Sequence, residues 1–364
     1  MGGIVNFDYS KIINGEKDHR IGKWCTKLRA VIEDTVRNTD DADELIKLLY
    51  NLADSDSASE SIALEDGIGL MYATLDGNKP KVDQTNFIGS KEWKHIPYTL
   101  QIQYTKQLLE DAHYALKPDQ GLKARTLPDT YFKTRAKIAQ LGYIKGEDEY
   151  LDFNGGRTPL TTYDGKPLFS KNHKYGAEGA HANGTQSNLF YVKKDNPTAG
   201  DFAEYLAQAA INIRQMKDSN GNAQNFAGDT ILIPGMVLAG SSRGKNEMLA
   251  RQAIGSEFFP GGSNNDINTQ AGIWNFKILP DWEIKEDQPY EMIIMSQDAK
   301  ENLMSMFFDR TGLEVTGHYD DDHRLYKWNA YARFSLGHAN YRHAVKVKVF
   351  GADDEVDTDK YTAL

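Results

Sequence analysis

Apolar positions in residues 1–64 recur at helical spacing. Leu28, Val31, Ile32 and Thr35 fall on one face of a helix predicted over 25–36, and Leu45, Leu48, Leu49 and Leu52 on one face of a second, which opens in Asp40, Asp41 and Asp43. Each is a thin amphipathic ribbon that cannot bury its stripe alone, so it must lie on another part of the chain or on another chain. Asp54-Ser55-Asp56-Ser57 then breaks the pattern as a joint. The runs 67–75 and 91–100 flank a polar tip containing Gly77, Asn78, Pro80, Asn86 and Gly89, which predicts a long β-hairpin. At about 3.3 Å per residue, a ten-residue strand reaches about 33 Å. The hairpin either folds flat on its own body or extends to a neighbour, and the residues leave both open.

A helical stripe follows over 127–153, opened by Thr126-Leu-Pro-Asp129 and carried by Tyr131, Phe132, Ala136, Ala139, Tyr143, Tyr150 and Leu151, with Gly142 and Gly146 expected to weaken or bend it. Residues 154–190, dense in Gly, Asn, Thr and Ser, read as loop. A capping signal at Thr198-Ala-Gly-Asp201 begins a helix whose face is Phe202, Leu206, Ala209, Ala210, Ile213 and Met216. A short buried strand over 229–235, a helix over 246–254 and strands over 274–279 and 290–295 then suggest a sheet flanked by helices. Strands over 325–336 and 344–350 close the chain. The second alternates Val with Lys346 and Lys348, which predicts one solvated face, and the acidic tail after Gly351 reads as mobile.

Composition narrows the class. The 364 residues carry 42 Lys plus Arg against 52 Asp plus Glu, a formal charge of -10, with 40% hydrophobic and 26% charged residues. That balance excludes fibrous, coiled-coil and wholly disordered chains and argues against broad gripping of a phosphate backbone. No apolar run approaches the ~18 residues of a membrane span, and the N-terminus lacks a secretory pattern. The expectation is a chain kept in a cytoplasm, or in something assembled there. Cys25 is the only cysteine, so no intrachain disulfide can form.

Motifs for chemistry are weak. Gly240-Ser-Ser-Arg-Gly244 matches a nucleophile elbow, and Asp281 or Asp309 followed by His318 or His323 would keep a Ser–Asp–His order, but no βαβ series or oxyanion loop precedes it. His318 and His323 enclose three aspartates, and Asp218, Asn220, Asn222 and Asp229 approach a calcium-loop spacing in which Ala223 replaces the required glycine. A turn is the plainer reading of both, with a bound ion as the alternative, and His173 and His181 read as polar filler in the glycine-rich loop. No catalytic residue, metal ligand or cofactor site is assigned.

The whole order resembles the major capsid proteins of tailed bacteriophages, which share the Hong Kong ninety-seven type fold. The local likeness to Mu-like major head subunits lies in Asp164-Gly-Lys-Pro-Leu-Phe-Ser-Lys-Asn-His173, in Gly184-Thr-Gln-Ser-Asn-Leu189 and in Ala332-Arg-Phe-Ser-Leu-Gly-His-Ala-Asn-Tyr-Arg342. Met216-Lys-Asp-Ser-Asn-Gly221 and Ile231-Leu-Ile-Pro234 are similar to a helix end and first strand of that fold. The resemblance implies an α+β fold: an N-terminal arm over 1–64, an extended hairpin loop over 65–100, a peripheral domain over 101–196 and 310–364 with a long spine helix, and an α/β axial domain over 197–309. It implies a structural, non-enzymatic subunit that assembles into hexamers and pentamers of an icosahedral virion shell in the host bacterial cytoplasm. Scaffold, portal or decoration proteins would be partners, and double-stranded DNA would be enclosed without sequence-specific binding. Lys79 and Lys81 lie near the loop tip without a crosslinking acceptor motif. Leu45, Leu49, Trp93, Ile96 and Tyr98 are the candidate intersubunit anchors, with intrachain core as their alternative. A serine hydrolase built on the 240–244 elbow and a cellular nanocompartment shell are the competing functions.

Overall fold

The computed structural model describes residues 41–66, 85–107, 117–237, 246–258, 267–268, 270–285, 288–302 and 305–364. Chain order begins with α1 (Asp41–Leu49), β1 (Asn51–Asp54), β2 (Ser59–Asp66), β3 (Asn86–Lys94), β4 (Ile96–Thr105) and α2 (Lys117–Ile144). Short hairpins β5 (Tyr150–Phe153) with β6 (Gly156–Pro159) and β7 (His173–Lys174) with β8 (Thr185–Gln186) precede β9 (Leu189–Lys193). Then come α3 (Ala199–Gln215), β10 (Thr230–Val237), α4 (Asn246–Gly255), β11 (Asn275–Ile284), β12 (Tyr290–Met295) and α5 (Gln297–Asn302). The chain closes with β13 (Ser305–Asp320), β14 (Leu325–His338), β15 (Ala344–Phe350) and β16 (Thr362–Ala363). The mixture of helices and separate sheets is the expected α+β class.

Two main sheets organise these elements. The first has the order β1-β13-β14-β4 and the second β11-β10-β12-β15-β9-β16. The spine helix α2 packs against α1, β14 and β11 and so links the two. Its buried positions Leu127, Arg135, Ile138, Ala139 and Tyr143 follow helical spacing. The helix begins upstream of the predicted Thr126 start, which places Pro128 in its interior, where the missing N–H leaves the Ala124 carbonyl without its helical donor. It ends at Ile144, short of the predicted end. Tyr150–Phe153 instead pairs with Gly156–Pro159 around Asn154 and Gly155, whose φ values of 47° and 84° fit the Asn-Gly two-residue turn. The helix runs through Gly142 to Ile144. Gly142 lets the Tyr50 hydroxyl approach, since a Cβ there would collide with that oxygen.

The predicted capping box forms. Thr198 and Asp201 exchange side-chain and backbone bonds at the start of α3, which buries Phe202, Leu206, Ala209 and Ile213.

The predicted hairpin is displaced. Its first strand is Ser59–Asp66, paired antiparallel with Asn86–Lys94, and residues 67–84, with Lys79 and Lys81, lie outside the described residues. The predicted 91–100 strand divides at His95, so that Ile96–Thr105 leaves the hairpin and pairs with β14. His95 sits between the hydroxyls of Ser55 and Ser335, at 2.9 Å from each, and marks the change of sheet.

β13 runs through residues 309 and 310, and β15 occupies the middle of the second sheet between β12 and β9. Two further expectations are corrected. The alternating β15 has no solvated face: Lys346 is 2% and Lys348 8% exposed. The tail is docked, with Tyr361 buried and Thr362–Ala363 added in parallel to β9.

Candidate functional site

The loop-side end of the β2–β3 hairpin, where Asp66 pairs with Asn86, is fastened to the body by a buried ion pair. Asp66, the last residue of β2, accepts from Arg342 Nη1 at 2.8 Å and from the Ser219 backbone N–H at 2.6 Å. The guanidinium also donates to the Tyr175 carbonyl. This pair ties the hairpin, the 154–190 loop, the turn after α3 and the segment after β14 into one block, although Arg342 Nε finds no acceptor among the described residues.

Tyr341 continues this hub. It stacks on His173 with ring centroids 3.7 Å apart and planes 10° from parallel, and its hydroxyl meets Gln186 Nε2 at 2.7 Å and the Lys174 carbonyl at 2.9 Å. His173 Nδ1 lies 2.8 Å from Asp164, whose other oxygen takes the Thr162 hydroxyl at 2.7 Å. Burial alone would raise the Asp164 carboxyl, but the bonds from His173 and Thr162 outweigh it and hold it below the usual range. Asn188 Nδ2 donates to the Leu168 carbonyl at 2.7 Å and to the Ala344 carbonyl at 3.2 Å. His173 is thus a buried part of the structure, not the loop filler expected.

Three more buried clusters surround α2. Lys346 and Lys348 of β15 both reach Glu147 and Glu291, at 2.7–2.8 Å, and Lys360 of the tail reaches the second oxygen of Glu147 at 2.7 Å. Burial would raise the Glu147 carboxyl, yet the ammonium groups hold it far below its ordinary value. Tyr143 contacts the Leu49 carbonyl at 2.7 Å and His343 Nε2 at 3.0 Å, beside His338, which is bonded to Ser305 at 2.8 Å. Desolvation pushes His343 down to about 4 and His338 well below its ordinary value. Finally, Arg135 bridges Asp43 of α1 and Asp309 of β13, and Asp54 lies in register with Asp309. Burial first, then the two neighbouring carboxylates, raise Asp309 to about 6 against the pull of Arg135.

The predicted anchors divide. Leu49 is fully buried, and Trp93, 1% exposed, packs with Leu64, Ile88, Phe308 and Ala339, so the chain's own core takes both. Leu45 is half-buried on α1; Ile96 and Tyr98 are half-buried on β4, with Tyr98 stacked on Phe334 at 4.5 Å.

The residues considered for chemistry are held in structural roles or separated. The 240–244 elbow lies outside the described residues. Asp281 bonds Gln140 at 2.8 Å, and His323 stands exposed beside Asp320. Asp218 closes a turn through the Asn220 and Asn222 N–H groups, whereas Asp229 accepts from the backbone of Gln297. Among the described residues no three His, Cys, Asp or Glu side chains converge as metal ligands, and no helix is long and apolar enough to cross a membrane.

Sequence reading missed Asp66, Glu147, Glu291 and the roles of Lys346 and Lys348. The available signal was the lysine pair itself, since two lysines in a strand of valines are either solvated or matched by acids elsewhere.

No family model matches the chain, and no curated protein matches it. Among solved structures it is similar to the capsid of the cyanophage P-SCSP1u, with TM-score 0.49 and 10% identity over 85% of this chain and 88% of that one. It is also similar to the capsid of Myoviridae phage XM1, with TM-score 0.47 and 10% identity over 84% of this chain and 91% of that one. A third similarity is to the mature capsid of bacteriophage PhiM1, with TM-score 0.49 and 7% identity over 82% of this chain and 84% of that one.

Proposed function

We propose that the chain is a major capsid subunit of a tailed bacteriophage, a structural protein without catalytic chemistry that assembles into the hexamers and pentamers of an icosahedral shell. The observation that carries this reading is internal to the chain. Three of the stretches that bear the family resemblance, 164–173, 184–189 and 332–342, pack on one another: His173 stacks on Tyr341, and Gln186 and Asn188 bond to it. Motifs distant in sequence are therefore one buried joint, and their polar groups are engaged with each other rather than offered to a substrate.

The architecture supports the same reading. A hairpin is fixed at the loop-side end of its strands by Asp66 and Arg342, α1 is fastened through Arg135, and α2 forms a spine between two sheets. In this assignment residues 197–309 form the axial domain, 101–196 with 310–364 the peripheral domain with α2 as its spine, and 65–100 the extended loop. Leu45, Ile96 and Tyr98 remain the proposed contacts to neighbouring subunits. The shell would enclose double-stranded DNA without reading its sequence, consistent with the chain's charge of -10. Assembly would take place in the host cytoplasm, with scaffold, portal or decoration proteins as partners.

The test is assembly. The purified chain, alone and co-expressed with the other structural proteins of its source, is expected to form closed shells in negative-stain images and to sediment accordingly. A compact monomer in every condition would overturn the proposal.

A further inference from the structure

Strands that end a sheet offer unpaired N–H and C=O groups, and proteins ordinarily blunt them by shortness, charge or proline. Most open edges among the described residues are blunted in this way. β16 has two residues and β1 four, ending in Asp54. β11 carries Lys277, Pro280, Asp281 and Glu283, and β2 carries Glu60, Glu65 and Asp66.

β4 departs from this rule. Its ten residues, Ile96–Thr105, contain no charge, and among the described residues no strand pairs with its outer side. Pro97 lies near one end and leaves 98–103 with an uninterrupted set of backbone donors. Its alternation is complete. Ile96, Tyr98, Leu100 and Ile102 share the face that pairs over Phe334, Ala332, Ala330 and Trp328, while Thr99, Gln101 and Gln103 are exposed on the other. On the apolar face Leu100 stays 42% exposed.

We infer that the outer edge of β4 is an interface with β4 of a second copy of this chain, formed by antiparallel strand addition around Leu100. The commitment to a second copy follows from charge and pattern. An uncharged edge flanking an apolar face calls for an uncharged strand of the same alternation, which excludes the charged β1, β2, β3, β5, β6, β7 and β11 and the two-residue β8 and β16. Only β4 of another copy supplies it among the open edges described. Antiparallel pairing with Thr99, Leu100 or Gln101 on the two-fold axis sets apolar residues beside apolar ones and threonine and glutamine beside their like. This deepens the capsid reading and rests on it for the meeting of copies.

The test uses the full chain with Cys25→Ser as background and single cysteines placed by Thr99→Cys, Leu100→Cys and Gln101→Cys, with Ile211→Cys on α3 as an exposed control. Mild oxidation should give disulfide-linked dimers with at least one of the three β4 cysteines and far less with the control. Equal crosslinking of all four, or none on β4, overturns the inference. The double change Thr99→Lys with Gln101→Lys should abolish assembly while the circular dichroism spectrum is kept. Normal shells from that variant remove the edge pairing and leave the capsid reading standing. Crosslinked β4 dimers from a chain that never forms shells would do the reverse. If the double lysine variant does not fold, the cysteine series alone decides.

Discussion

Lys346 and Glu147 lie 2.8 Å apart with the ammonium nearly sealed from water, joining the middle strand of the second sheet to the end of the spine helix. Glu147 also meets Lys348 and Lys360, so one carboxylate answers three ammonium groups from two segments. Glu147→Gln would leave Lys346 and Lys348 to Glu291 and take from Lys360 its carboxylate partner. Breaking a buried pair in this way costs on the order of 3 kcal/mol. A fall in the urea midpoint is the expected result, and an unchanged midpoint would show that water reaches the cluster. Because the folded carboxyl is depressed below its ordinary 4.5, its contribution is present above that pH and is lost as the pH falls further.

Opposite pH responses are expected from the two other clusters. His343 is pushed from 6.5 down to about 4, so the unfolded chain takes up its proton first and stability falls as pH drops from 6.5 toward 4. Asp309 is pushed from 3.8 up to about 6, so the folded chain takes up its proton first and stability rises over that same descent. Asp309→Asn removes the second contribution. The variant's melting temperature, relative to the parent, should be higher at pH 7.5 than at pH 5. A constant difference between the two proteins would mean that Asp309 titrates normally.

Gly142→Ala introduces a methyl group where the Tyr50 hydroxyl stands. Overpacking at such a site costs about 1–3 kcal/mol. Adding Tyr50→Phe should recover part of the loss, read by thermal melting. A double variant no more stable than Gly142→Ala alone would place the strain elsewhere.

Deleting residues 352–364 removes Lys360 and the buried Tyr361 and uncovers the edge of β9. The loss of one aromatic anchor with its ion pair is expected to cost on the order of 2 kcal/mol. Faster hydrogen exchange at Leu189–Lys193 is the local signature to look for. Unchanged protection there would show that β9 does not depend on the tail.

Local chemistry was legible in the chain. Thr198 and Asp201 announced the start of α3, Phe202, Leu206, Ala209 and Ile213 its buried face, and the 290–295 run became β12 with the same limits. These depend on neighbours within a few residues, where spacing alone sets which side chains share a face. β13 escaped because Gly312 and Gly317 and two register shifts hide its period of two. The Asn154-Gly155 turn was a local signal passed over.

What each face meets was decided in three dimensions. Lys346 finds Glu147 and Arg342 finds Asp66 across about 200 and 276 positions of sequence, and alternation along β15 cannot tell a solvated lysine from a paired one. His95 turns one apparent strand into two because Ser55 and Ser335, far from it in the chain, close on its ring. Sequence spacing specifies geometry along one element; the partner that makes a buried charge or an apolar residue tolerable is specified only when separate elements pack.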